Sequence, residues 1–188
     1  VVVGGEVFDI GGNGKLGSGP YLVVEADESD GSLLELPAQI AVVTNVEADH
    51  LDHYADLEAV RATFLDFMRQ IPPSGLVVSC ADDEGLAKLV SHINCRHVDY
   101  GLQNRGYWRA AELQSLPFGS KSTIWRGQEK IGCLDLQVPG KHNISNALAV
   151  LAVADELHLP ISEAMVTLSE FRGVARRFER LGESGGVL

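Results

Sequence analysis

Short apolar runs rich in β-branched residues alternate with stretches of helical periodicity. That alternation predicts an α/β fold with a mostly parallel sheet flanked by helices. Two of the runs, "YLVV" and "QIAVV", empty directly into acids and histidines, as strands do when they deliver ligand groups to one edge of a sheet. From Trp108 to Val138 the texture changes to short alternating runs, which predicts a small antiparallel segment packed beside the main sheet.

The strands expected in chain order are Tyr21 to Val24, Gln39 to Thr44, Leu76 to Ser79 and His97 to Tyr100. Helices are expected from about Leu57 to Gln70 and from Asp83 to Ile93. The first carries Val60, Phe64, Phe67 and Met68 at helical spacing, and "PPSG" stops it. In "STIWRGQEKIGCLDLQV" a hairpin is expected to turn near Arg126 to Gln128. "PGKHNISNALAVLAVADELH" opens an Ala- and Val-rich helix with Ile144, Leu148 and Leu151 on one side, and a second helix runs from about Ile161 to Phe171. The Gly-rich end, "GESGGVL", reads as a linker or the start of something missing.

The chain of 188 residues suffices for one sizeable domain, and its 45% hydrophobic content is that of an ordinary globular protein. Fifteen basic against 26 acidic residues give −11, which argues against a general binder of nucleic acid or anionic membrane. Cys80, Cys95 and Cys133 lack C-x-x-C spacing and read as reduced thiols in a cytoplasmic setting. No signal peptide is visible and no initiator Met, so a fragment or processed piece is expected.

"GGNGKLGSG" is not a phosphate loop. Asp9 stands where the first Gly is needed, and Leu16 replaces the metal-binding Ser or Thr, so a mobile turn is the better reading. "EADESD" places Glu25 at a strand mouth with Asp27, Glu28 and Asp30 beyond it. Carboxylate oxygens are the hard ligands that Mg²⁺ prefers, although such a turn can simply be solvated. "NVEADHLDHY" repeats the geometry with Asp49 and His50, while His53 reads as surface. His142, Asn143 and Asn146 share a helix mouth; they could border a purine edge, or Asn143 could merely be an N-cap. Arg176 and Arg177 suit phosphate, or are plain surface charge beside a boundary.

In this order, "EADESDGS", "VVTNVEADHLDHY", "PGKHNISNALAV" and "FRGVARRFE" resemble the central domain of the ATP-dependent Mur ligases of peptidoglycan synthesis. The nearest branch is the one that adds L-alanine to UDP-N-acetylmuramate. The resemblance implies a P-loop-type central ATPase domain over residues 1–175, with its phosphate loop upstream of Val1, and a hinge with the start of a C-terminal domain over 176–188. It implies inactivity of the piece alone. It implies ATP and Mg²⁺ as cofactors, with Glu25 and His50 holding the metal near the transferring phosphate. His142, Asn143 and Asn146 would border adenine and Arg177 would reach ATP phosphates. Glu25 and His50 are expected at one carboxyl edge, roughly 4–8 Å apart. Several relatives carry a carbamylated lysine on the next helix. Here the place falls near Phe64, where "EAVRATFLDF" has no lysine, as in the alanine-adding branch. The rivals are the muropeptide-recycling ligase that adds a tripeptide, a metal-dependent phosphohydrolase, and a non-catalytic nucleotide-binding piece.

Overall fold

A computed structural model describes residues 1–29, 31–102 and 105–175. It divides into two units, Asp27–Glu170 and Val1–Ala26 together with the chain from Phe171. Arg176, Arg177 and the rest of the expected hinge lie outside the described residues, as does Asp30.

In the larger unit one six-stranded sheet runs in chain order: β3 (Ile40–Val43), β4 (Leu76–Cys80), β5 (Arg96–Gly101), β6 (Trp108–Leu116), β7 (Gly119–Arg126) and β8 (Glu129–Leu136). The first four are mutually parallel and β6, β7 and β8 are antiparallel. The antiparallel segment is therefore not a separate sheet packed beside the main one, as its texture suggested. It is joined through Tyr100↔Trp108 and Gly101↔Arg109, a register of only two residue pairs. The hairpin turn after Arg126 falls where expected, with Gly127 at φ 56°, a conformation that Gly supplies without steric cost.

All five residues of β4 are buried, which explains its unbroken apolar run: parallel strands are covered on both faces. Leu76, Val78 and Cys80 pack with Tyr100, Trp108 and the α3 (Lys141–Glu156) residues Ile144, Leu148 and Leu151. Val77 packs with Ala41, Val43 and, from α1 (Leu57–Gln70), Val60 and Met68; Leu86 of α2 (Glu84–Leu89) completes that side. Helices thus lie on both faces. α1 begins on Asp56, whose carboxylate accepts from Ala59 N at 2.9 Å, and ends at Ile71, held extended before Pro72. A Cβ on Gly75 would lie 2.5 Å from Gln39 O, so only Gly lets this turn pass so close to the entry of β3. α4 (Ile161–Glu170) closes the unit beside β8 and α3.

The smaller unit holds β1 (Val2–Val7) and β2 (Gly12–Gly14), an antiparallel pair that includes part of the Gly-rich segment expected as a turn. The strand expected at Tyr21–Val24 is not part of the six-stranded sheet. It makes one parallel bridge, Val2↔Val24, and Tyr21, Leu22, Val23 and Val24 stay 40–72% exposed. An apolar run becomes a buried strand only where neighbours cover both its ladder and its faces, and among the described residues only β1 bridges to it. Among the described residues, no helix is long and apolar enough to cross a membrane.

Candidate functional site

Because β3, β4 and β5 are parallel, the loops that follow them leave one common edge. After β3, Thr44 to Asp56 carries His50. After β4, Ala81 donates to Tyr100 O at 2.7 Å, and Asp82 accepts from Leu102 N at 2.6 Å, which ties that loop to the end of β5. α3 brings its first turns to the same edge, where Ser145 Oγ lies 4.0 Å from Cys80 Sγ, the last residue of β4. The structure therefore brings the His50 loop and the His142–Asn146 turn of α3 to the carboxyl edge of one parallel sheet.

His50 is half-buried and adopts φ 52°, a left-handed backbone that a non-Gly residue enters at a cost of roughly 1–2 kcal/mol. Its carbonyl accepts from the amides of both His53 and Tyr54, at 2.8 and 3.0 Å, and its own amide donates to Asp49 Oδ1 at 2.8 Å. His53 is exposed, as expected, and lies edge-on to Tyr54.

Two residues that the motifs did not single out hold this loop. Asp83 caps α2 through Leu86 N at 2.9 Å and accepts from Val46 N at 2.8 Å with its other oxygen. Tyr54, 8% exposed, donates from its hydroxyl to Glu28 O at 2.7 Å. The only sequence signal for Asp83 was an Asp just before a helical stretch.

At the α3 mouth the N-cap is Gly140 at φ 102°, so Asn143 is not the cap; its side-chain amide donates to Pro139 O at 2.7 Å. His142 and Asn146 are exposed, and the His142 ring lies so near Gly140 that a Cβ there would come within 2.6 Å of it. Beneath this turn Tyr100 is fully buried. Burial, with Cys80 and Asp82 nearby, holds its hydroxyl above the ordinary phenol range, so it stays protonated.

Glu25 belongs to the smaller unit, where its amide donates to Val2 O at 2.9 Å and its Oε2 accepts from Gly4 N at 2.7 Å. It follows a single bridge rather than a strand of the six-stranded sheet, so the expected pair of parallel sheet strands ending in Glu25 and His50 does not form. In the same unit Arg172, at the start of the last motif, is taken by Asp9: its Nε and its amide donate at 2.8 and 3.1 Å. Those bonds hold the Asp9 carboxyl below its ordinary value. Among the described residues no three His, Cys, Asp or Glu side chains converge as a ready metal cluster.

Comparison with known proteins gives this arrangement its family. Residues 17–154 match the Mur ligase middle domain. The UDP-N-acetylmuramate–L-alanine ligase of Syntrophotalea carbinolica is 45% identical over 95% of this chain and 39% of its own length. That of Desulfosudis oleivorans is 46% identical over 100% of this chain and 41% of its own length. The chain thus spans about two fifths of the length of these curated relatives. Among solved structures, the UDP-N-acetylmuramate-alanine ligase MurC of Thermotoga maritima superposes with a TM-score of 0.84 at 32% identity, covering 98% of this chain and 41% of that one. The UDP-N-acetylmuramate:L-alanyl-gamma-D-glutamyl-meso-diaminopimelate ligase from Neisseria meningitides superposes with a TM-score of 0.81 at 26% identity, over 93% and 58%. With the family match spanning all six strands of the main sheet and most of α3, the chain belongs to the Mur ligase middle domain family.

Proposed function

We propose that this chain is the central ATP-binding part of a cytoplasmic ligase that joins UDP-N-acetylmuramate to L-alanine in peptidoglycan synthesis. The observation that carries the reading is the run of relatives bearing that ligase name at 40–46% identity across 95–100% of the chain. The reaction breaks the bond between the β- and γ-phosphates of ATP and forms an acyl phosphate on the muramoyl carboxylate. The alanine amine then attacks the carbonyl carbon, a C–N bond forms, and phosphate leaves with its bridging oxygen while the amine proton passes to water. Little covalent work falls to the protein, so positioning and charge neutralisation dominate.

In this reading Glu25 and His50 are the catalytic pair that holds Mg²⁺. A carboxylate oxygen and an imidazole nitrogen fit that cation only where phosphate oxygens and water fill the remaining positions, which is how Mg²⁺ is ordinarily held at nucleotides. Gly4 N engages one oxygen of Glu25, and the other has no partner among the described residues. When bound, Mg²⁺ would neutralise the charge that builds on the transferring phosphoryl oxygens. His142 and Asn146 would border adenine from the exposed mouth of α3, with Asn143 beside them through the oxygen of its side chain. Arg177 would reach the ATP phosphates.

The superposition on the Neisseria ligase supports a second reading, in which the amine is that of a tripeptide. The deciding experiment assays the full-length protein with UDP-N-acetylmuramate, ATP and either L-alanine or L-alanyl-γ-D-glutamyl-meso-diaminopimelate. Amide formation and ADP release with L-alanine support the first reading. Turnover with the tripeptide alone selects the second, and turnover with neither removes the ligase assignment.

A further inference from the structure

We infer that Asp83 and Tyr54 are positioning residues for His50, pinning the two ends of its loop so that the imidazole faces the phosphate site in one direction. The inference rests on the metal role proposed for His50. The loop from Thr44 to Asp56 has no strand or helix of its own, so contacts from outside it must set where its ends lie. Its beginning is fixed where Asp83 accepts from Val46 N at 2.8 Å while also accepting from Leu86 N at the first turn of α2. Its end is fixed where the buried Tyr54 ring enters the core beside Val60 and Met68 and its hydroxyl donates to Glu28 O at 2.7 Å.

Between these pins His50 sits at φ 52°, with its carbonyl bound by the amides of His53 and Tyr54. A strained backbone persists only where its surroundings over-determine it: Asp49 and the amides of His53 and Tyr54 hold it locally, and Asp83 and the Tyr54 side chain hold the two ends of the loop. A ligand held on a loop loses its value when the support loosens, because metal affinity depends on direction as well as on identity. Asp83→Asn separates the two jobs of that carboxylate. Asn still caps α2 through its oxygen, but its amide nitrogen cannot accept from Val46 N. Tyr54→Phe removes only the hydroxyl and keeps the ring in the core.

The test is the affinity of the full-length protein for Mn²⁺ beside a non-hydrolysable ATP analogue, read from the free-ion electron paramagnetic resonance signal. Each substitution should weaken Mn²⁺ binding about 10-fold, the usual loss when the support of a ligand is removed. In a His50→Ala background the same substitutions should add less than about 2-fold, because they act through a residue that is no longer there. An equal loss with and without His50, or no loss in its presence, overturns the positioning role. Unchanged affinity in His50→Ala alone overturns the metal reading, and this inference with it.

Discussion

Arg126 joins the hairpin to the long helix: its guanidinium meets the Asp155 carboxylate of α3 at 2.7 Å and lies 5.9 Å from the Trp108 ring centroid. It also reaches Glu129 at 2.7 Å across the turn. Both partners of the Arg126–Asp155 pair are about two-thirds covered, so the pair is worth more than an exposed one, though screening still limits it. A double-mutant cycle with Arg126→Gln and Asp155→Asn should give a coupling of about 1 kcal/mol in urea unfolding. Zero coupling would mean that Trp108 and Glu129, not Asp155, hold the arginine.

A second stability prediction concerns pH. His97 Nε2 lies 2.7 Å from the buried Ser79 Oγ, and burial lowers the imidazole below its ordinary value while nearby Asp99 opposes the shift. The folded state then prefers the neutral ring, and the unfolded chain binds more protons once pH falls below about 6.5. Stability from this residue is therefore complete above that pH and declines below it, towards the folded value. The residue as a whole stays exposed, so the slope should be small. Urea midpoints at pH 7.5 and 5.5 should differ less in His97→Gln than in the wild type, and equal differences would refute the linkage.

At the C-terminus of α3 a substitution should stabilise. His158 sits at φ 55°, and the amides of His158 and Leu159 close back on Asp155 O and Ala154 O at 3.0 and 2.9 Å. This is the turn in which Gly is the favoured residue. His158→Gly should stabilise the protein by about 0.5–1 kcal/mol through relief of the left-handed backbone. A lower melting temperature would show that the imidazole contributes more than the strain costs.

The parts legible in the sequence were those where one local rule sufficed. The bounds of α1 followed from apolar spacing and the Pro72–Pro73 stop, and the α3 face followed from Ile144, Leu148 and Leu151. Tyr21–Val24 misled because the letters of a β-run do not reveal whether anything covers it. The merging of β6 with the parallel strands was hidden for a similar reason. Two residue pairs at Tyr100 and Gly101 decide it, and no composition signal marks them. In the site, the residue types at His50, Asn143 and Asn146 were visible as chemistry. The supports were not: Asp83 reaches Val46 across 37 positions and Tyr54 reaches Glu28 across 26, distances over which no sequence periodicity operates.

Asn146, exposed at the α3 mouth, should act on binding rather than on chemistry. On the adenine contact proposed for it, Asn146→Ala in the full-length protein is expected to raise KM for ATP several-fold while kcat changes less, because a base-edge contact supplies uniform binding. A large fall in kcat at unchanged KM would give this residue another role.

If Glu25 serves Mg²⁺ at the transferring phosphate, turnover in Glu25→Gln must depend on magnesium differently from the wild type. Gln keeps an oxygen to accept from Gly4 N, so the melting temperature should hold. Removing the negative charge should lower kcat at limiting Mg²⁺ by about 100-fold, the scale seen when a transition-state charge contact is lost. Raising Mg²⁺ should restore part of that loss. A variant that turns over like wild type at limiting Mg²⁺, or whose defect ignores Mg²⁺ altogether, would remove Glu25 from the metal site.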